Sequence, residues 1–171
     1  AFTAFDDEPL EIRRFFQVHR ARLHDGSAAL VWVRHPEAGH WVGRDIEALG
    51  PLGEIAGGPD WVPHAFGEAL GDFRRSLDLR LDFRHQVEVG EALAQDARDF
   101  DLLRVPPLVR QLCGPGVLVR QEPPGWRLDT FIGPLSGDPG DVADADMLAQ
   151  AQIGGADLAR YLCLAWLRQA L

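Results

Sequence analysis

Residues Ser76 to Gly90 read SLDLRLDFRHQVEVG, and the fold turns on whether they make a strand or a helix. Taken alternately, Leu77, Leu79, Leu81, Phe83, His85, Val87 and Val89 fall on one side, and Asp78, Arg80, Asp82, Arg84, Gln86 and Glu88 on the other. Upstream, Phe66, Leu70, Phe73 and Leu77 recur at helical spacing, which predicts a helix over 63–76. Carrying that helix onward would set Asp78 over Asp82 and Arg80 over Arg84, two like-charge i,i+4 pairs, each mildly unfavourable. A strand instead alternates the charges along one face and gives Leu79 and Phe83 a buried side. The spacing therefore predicts a strand from Leu77. His85 then stands in an apolar row, as a core histidine with one hydrogen-bond partner more than as a site.

Outward from this stretch, residues 1–10 are polar and acidic and read as an extended lead-in. Glu11–Leu23 and Ala28–His35 read as strands joined around Asp25-Gly26, a strong short hairpin signal. Pro36–Gly39 reads as a second turn, and His40–Ile46 as the third strand of a meander. Gly50–Pro63 is rich in Gly and Pro and reads as a loop. Helices are predicted over 90–100 and 106–114, the second with Pro at its start and Gly at its stop. A later hairpin is predicted over 117–132, and a helical region over 142–171, broken at Gly154-Gly155. The expected fold is a single α+β domain with a mostly antiparallel sheet covered by helices.

The 171 residues suffice for one core without staples. None of the 17 basic residues is a lysine, and asparagine is missing as well, a bias expected of a GC-rich, bacterial genome. A net charge of −9 and scattered arginines argue against a nucleic-acid partner. No ~20-residue apolar run that could span a bilayer is visible, and no signal-peptide pattern. Two cysteines, Cys113 and Cys163, do not make a disulfide framework, so a reducing, cytoplasmic setting is expected.

Candidate site residues come from the hairpins. With Asp25-Gly26 as a two-residue turn, opposing residue numbers sum to 51: His19 faces Trp32, Gln17 faces Arg34, and Phe16 faces His35. The second turn would set His35 against His40 and Arg34 against Trp41, with Cβ atoms ~4.5–5.5 Å apart. These four, with His85, are the pocket candidates. Two imidazoles could share a metal, but Zn²⁺ wants a third protein ligand, and only Glu37 offers itself. Solvated histidines at a hairpin mouth are the plainer reading, so no metal is expected. Asp138, Asp141, Asp144 and Asp146 do not follow an EF-hand pattern and suit a helix start. No Walker loop, Rossmann fingerprint, H-E-x-x-H or C-x-x-C is present, so no cofactor is expected either.

Gln111–Gly116, Q-x-x-G-x-G, resembles the acyl-CoA pyrophosphate loop of the GNAT acetyltransferases. A helix is predicted before it and a strand after it, the reverse of what phosphate binding at a helix start requires. The likeness is therefore one of element order only. Cys113 lies at the end of a predicted helix, where a thiolate is disfavoured, and Cys163 lies in an apolar run that reads as core.

The final segment, ADLARYLCLAWLRQAL, is apolar nearly all round, so it should be buried in its own domain or against another chain. Tyr161, Leu164, Trp166 and Leu167 are its interface candidates, and Trp41, Trp61 and Trp126 are further aromatics for a surface. These features favour a non-catalytic protein-interaction or assembly module, as a homodimer or accessory subunit. The alternative is a small enzyme or ligand-binding domain with a pocket of histidine, arginine and tryptophan.

Overall fold

The computed structural model describes residues 1–55, 61–101, 103–125 and 154–170. The chain divides into two compact units, 1–96 with 105–122, and 97–104 with 123–171. The first unit is α+β, as its sequence predicts. Its sheet contains β1 (Phe2–Phe5), β2 (Glu11–Ile12), β3 (Phe16–Leu23), β4 (Ala28–Arg34) and β5 (Val117–Gln121). The order is β1-β3-β4-β5, with β2 also on β3, and every pairing is antiparallel. Helices α1 (Ala38–Leu49), α2 (Leu52–Ile55), α3 (Trp61–Leu81) and α4 (Phe83–Asp96) stand between β4 and β5.

The β3–β4 hairpin forms where the sequence places it, but one residue out of the expected register. Leu23 N–H donates to the Ser27 carbonyl and Gly26 N–H to the Leu23 carbonyl, so three residues make the loop. Gly26 takes φ 84°, which glycine adopts without steric cost. Facing numbers therefore sum to 50: Val18 faces Trp32, His19 faces Val31, and Phe16 faces Arg34. A slip of one residue exchanges the faces.

One face of the sheet carries Ala21, Leu23, Ala29, Val31 and Val119, joined by Phe2, Val33, Val109, Leu112, Cys113 and Val117. Val119 is 0% exposed. The segment before β5, predicted as a helix over 106–114, is instead mostly extended, with a 3₁₀ turn at Arg110–Leu112. It runs beside β5: Val109 N–H donates to Val119 O, and Gln121 N–H to Pro107 O. Pairing with a strand edge satisfies its backbone better than one helical turn would. It also lies close to α4, where a Cβ on Gly90 would stand 2.9 Å from Leu108 Cδ1.

Four other expectations are corrected. The lead-in contains β1, paired with β3. Glu11–Leu23 is two strands, because the chain folds back at Arg13, whose N–H donates to Phe16 O. His40–Ile46 is helix, part of α1. Ala38, Val42 and Ile46, spaced four apart, are buried with Leu81, and the half-buried Phe15, Leu70 and Leu77 pack against them. That stripe starts ahead of His40, so an alternation read from His40 onward misses it.

The fourth is Leu77–Val89, which is helix on both sides of a joint at Asp82. Asp82 N–H donates to Asp78 O and closes α3; Asp82 O accepts from Gln86 N–H and opens α4. The Asp82 carboxylate accepts from Arg84 N–H at 3.0 Å, the work of an N-cap. The feared charge repulsion does not arise. Asp78 meets Arg74 at 3.8 Å, Asp82 meets Arg84 at 3.2 Å, and Arg80 suits the C-terminal dipole. Two helices in succession bury Leu81, then Phe83 and Val87, a sequence that imitates a period of two.

The later hairpin supplies β5, while its second arm lies outside the described residues. In the second unit, α5 (Gly155–Ala170) confirms a C-terminal helix after the predicted break. Residues 126–153 lie outside the described residues, and with them the whole acidic cluster, Asp138, Asp141, Asp144 and Asp146.

Asp82 makes a test of the joint. Its carboxyl is held below its ordinary value of 3.8, chiefly by the Arg84 side chain. A depressed pKa adds stability that is fully present above the unfolded value and lost as pH falls through the folded one. Asp82→Ala should cost about 1 kcal/mol at neutral pH. Urea unfolding should show that deficit shrinking below about pH 4.

Candidate functional site

The sheet face opposite the Val119 core carries the polar chemistry. Its cross-strand rows are Phe16–Arg34, Val18–Trp32–Leu118 and Arg20–Leu30–Arg120. β4 is central, so Trp32 has a strand on each side. Arg120 stands one pair diagonally away on β5, and such diagonals are ~7–8 Å apart, within reach of long side chains. The Arg120 guanidinium carbon lies 4.3 Å from the Trp32 ring centroid, a cation–π contact.

Arg120 is held with little else. Its Nε is buried and has no hydrogen-bond partner. Burial pushes its pKa below the ordinary arginine value, though an arginine remains a cation. The neighbouring Arg20 differs: its Nε donates to the Glu122 carboxylate at 3.1 Å.

At the other end of this face, Arg34 donates from Nη1 to Leu81 O at 2.7 Å and ties β4 to the end of α3. Gln86 Nε2 donates to Leu79 O nearby. Both satisfy carbonyls that a helix end leaves open. Arg34 also helps to lower the Asp82 pKa, after Arg84. It is therefore a structural tie of the joint.

The predicted pocket residues meet only in part. His35 packs against Trp41 with the rings tilted at 48° and their centroids 5.9 Å apart, and its Nε2 lies 3.3 Å from Arg13 O. His40 is exposed on α1 and does not face His35, because no second hairpin exists. Arg34 turns to Leu81 instead of Trp41. His85 is a half-exposed residue of α4, with Nδ1 3.9 Å from Glu88 on its own helix. Among the described residues, no group of three or more His, Cys, Asp or Glu could hold a metal. A concavity of about 490 Å³ lies against Leu23, His24, Pro107, Leu112 and Gln121, away from all five candidates.

Two residues of interest were not anticipated. His19 is buried, stacked on Phe5 with ring centroids 5.0 Å apart, with Nδ1 2.9 Å from Asp6 O. Arg120 had a visible signal, a lone cation in the strand VLVRQ, but its partner depends on a register that only the fold reveals. On α5, Tyr161, Leu164 and Trp166 are exposed, Trp166 at 67%; the side chains of Leu167 and Trp61, and all of Trp126, lie outside the described residues. Cys163, expected in a core, is exposed, and Cys113 is half-buried; both are free thiols. No helix among the described residues is long and apolar enough to cross a membrane.

Residues 1–136 match the family model of the ABC1 atypical kinase-like domain. The chain is 31% identical over 128 residues to AarF domain-containing protein kinase 1 of Mus musculus, covering 75% of this chain and 24% of that protein. It is 30% identical over 124 residues to the probable protein kinase UbiB of Pseudomonas putida, covering 71% and 23%. It thus spans about a quarter of the length of these relatives. Among solved structures, the fold resembles Rv3197 of Mycobacterium tuberculosis, solved in complex with erythromycin. The TM-score is 0.57 at 24% identity, over 72% of this chain and 31% of that one. The kinase-like match overturns the reading as a non-catalytic assembly module, and the acetyltransferase-like element order has no counterpart in it. Acidic composition, absent catalytic motifs and the apolar last segment had suggested the module, and the Gln111–Gly116 motif with the element order had suggested the likeness; neither reports on strand register. The chain belongs to the ABC1 atypical kinase-like family.

Proposed function

We propose that this chain forms the nucleotide-binding part of a kinase-like protein and holds a nucleoside triphosphate for phosphoryl transfer. The family match over residues 1–136 carries this reading. Phosphoryl transfer asks little covalent chemistry of the protein; positioning and charge stabilisation do most of it. An antiparallel sheet face that sets arginines among apolar side chains supports such a role, since a flat base packs on apolar side chains while cations meet phosphate. With Cys113 and Cys163 both unbridged, the proposal extends to a reducing, cytoplasmic setting.

The measurement is calorimetric titration of the full 171-residue chain with ATP. Saturable binding in the micromolar to millimolar range supports the reading. No heat and no saturation at millimolar ATP contradict it.

An association of α5 with a second protein chain remains a proposal beside this one, supported by its exposed Tyr161, Leu162, Leu164 and Trp166. Multi-angle light scattering should show a mass that rises with concentration, or a complex with a partner. Trp166→Ser should then reduce it. A concentration-independent monomer that captures no partner contradicts this part.

A further inference from the structure

Nucleotide phosphates have to be met by positive charge. In protein kinases one such charge is a lysine on a strand of the sheet lobe. None of the 17 basic residues of this chain is lysine, so any side-chain cation it offers to phosphate is an arginine or a histidine. Most arginines around the sheet are already engaged. Arg13 pairs with Glu11, Arg14 with Asp45 and Arg20 with Glu122. Arg22 donates to Gly26 O and Arg34 to Leu81 O.

Arg120 is the exception. Among the described residues it has no carboxylate partner and no side-chain hydrogen bond, and its Nε is fully enclosed. A partly buried cation without a counter-charge is costly, and a buried donor without an acceptor calls for an explanation. The Trp32 ring holds the group in place from the central strand. A cation–π contact engages the π cloud and leaves the guanidinium N–H groups to donate elsewhere. A guanidinium fork suits the paired oxygens of a phosphate.

We propose that Arg120, positioned by Trp32, binds the phosphates of a nucleoside triphosphate, the task that a strand lysine performs in protein kinases. This rests on the nucleotide-binding reading above. The cation is delivered from β5, the neighbour of the strand that carries Trp32. Trp32 is a positioning residue: it fixes the guanidinium against the sheet, and the arginine makes the phosphate contact.

The test is calorimetric titration of the full chain with ATP, adenosine and inorganic tripolyphosphate. In Arg120→Gln, ATP and tripolyphosphate should bind about tenfold to a hundredfold more weakly, the range for losing one charged hydrogen bond. Adenosine binding should not change. Arg120→Lys should recover part of the ATP affinity, because the charge returns without the fork. Arg120→Met is the second removal variant. Circular dichroism checks that both removal variants stay folded, with at most a small drop in melting temperature for the lost Trp32 contact. Wild-type ATP affinity in folded Arg120→Gln or Arg120→Met overturns the assignment of Arg120 and leaves the nucleotide-binding reading standing. A wild-type chain that binds no ATP overturns both.

Discussion

The positive φ of Gly26 governs the arrangement of the whole sheet. It closes a three-residue loop between β3 and β4, and that loop sets the pairing sum at 50. With a two-residue turn, Trp32 would face His19. In the observed register it lies with Val18 and Leu118, on the face away from His19, Val31 and Val119. Every polar feature of the Trp32 face follows from that choice. Arg20 and Arg120 occupy one row, and Arg120 stands diagonally from the indole. A side chain at Gly26 would be strained at that φ and would press the loop towards a different register.

A second constraint is Asp82. One residue ends α3 and starts α4, and its side chain caps the second helix. Arg34 reaches from β4 to the Leu81 carbonyl just ahead of it. Phe83, just past the joint, makes an edge contact with Phe16 of β3 at 6.3 Å between centroids, and its N–H donates to Pro115 O. The helices and the sheet are thus tied where Asp82 interrupts the helical run.

The antiparallel sheet was legible where local chemistry decides it. The alternation in Phe16–Leu23 and Ala28–Arg34, with Asp25-Gly26 between them, is enough to predict a hairpin. The register was not, because Asp-Gly serves loops of two and of three residues, and the difference exchanges the faces. Leu77–Val89 misled for a physical reason. A cap at Asp82 shifts the phase of the buried stripe, so two helices present the same residue pattern as one strand. Repulsion between Asp78 and Asp82 counted against a helix only while their partners Arg74 and Arg84 were unknown. His35, His40, Arg34 and Trp41 were grouped by a hairpin that does not form, since Ala38, Val42 and Ile46 take that segment into α1. Arg120 could be seen in VLVRQ, but its contact with Trp32 joins residues 88 apart and exists only once β4 and β5 are paired.

What remains of the sequence-based picture is an acidic α+β chain, free of lysine. The kinase-like family accounts for the fold class, and the arginine over the tryptophan is the observation on which the proposed phosphate contact rests. The most direct test is ¹⁵N NMR of the arginine side chains during an ATP titration. The account predicts that the Arg120 Nε–H resonance moves with ATP and stays still with adenosine. An Arg120 resonance that does not move while ATP shifts other signals of the chain would contradict it.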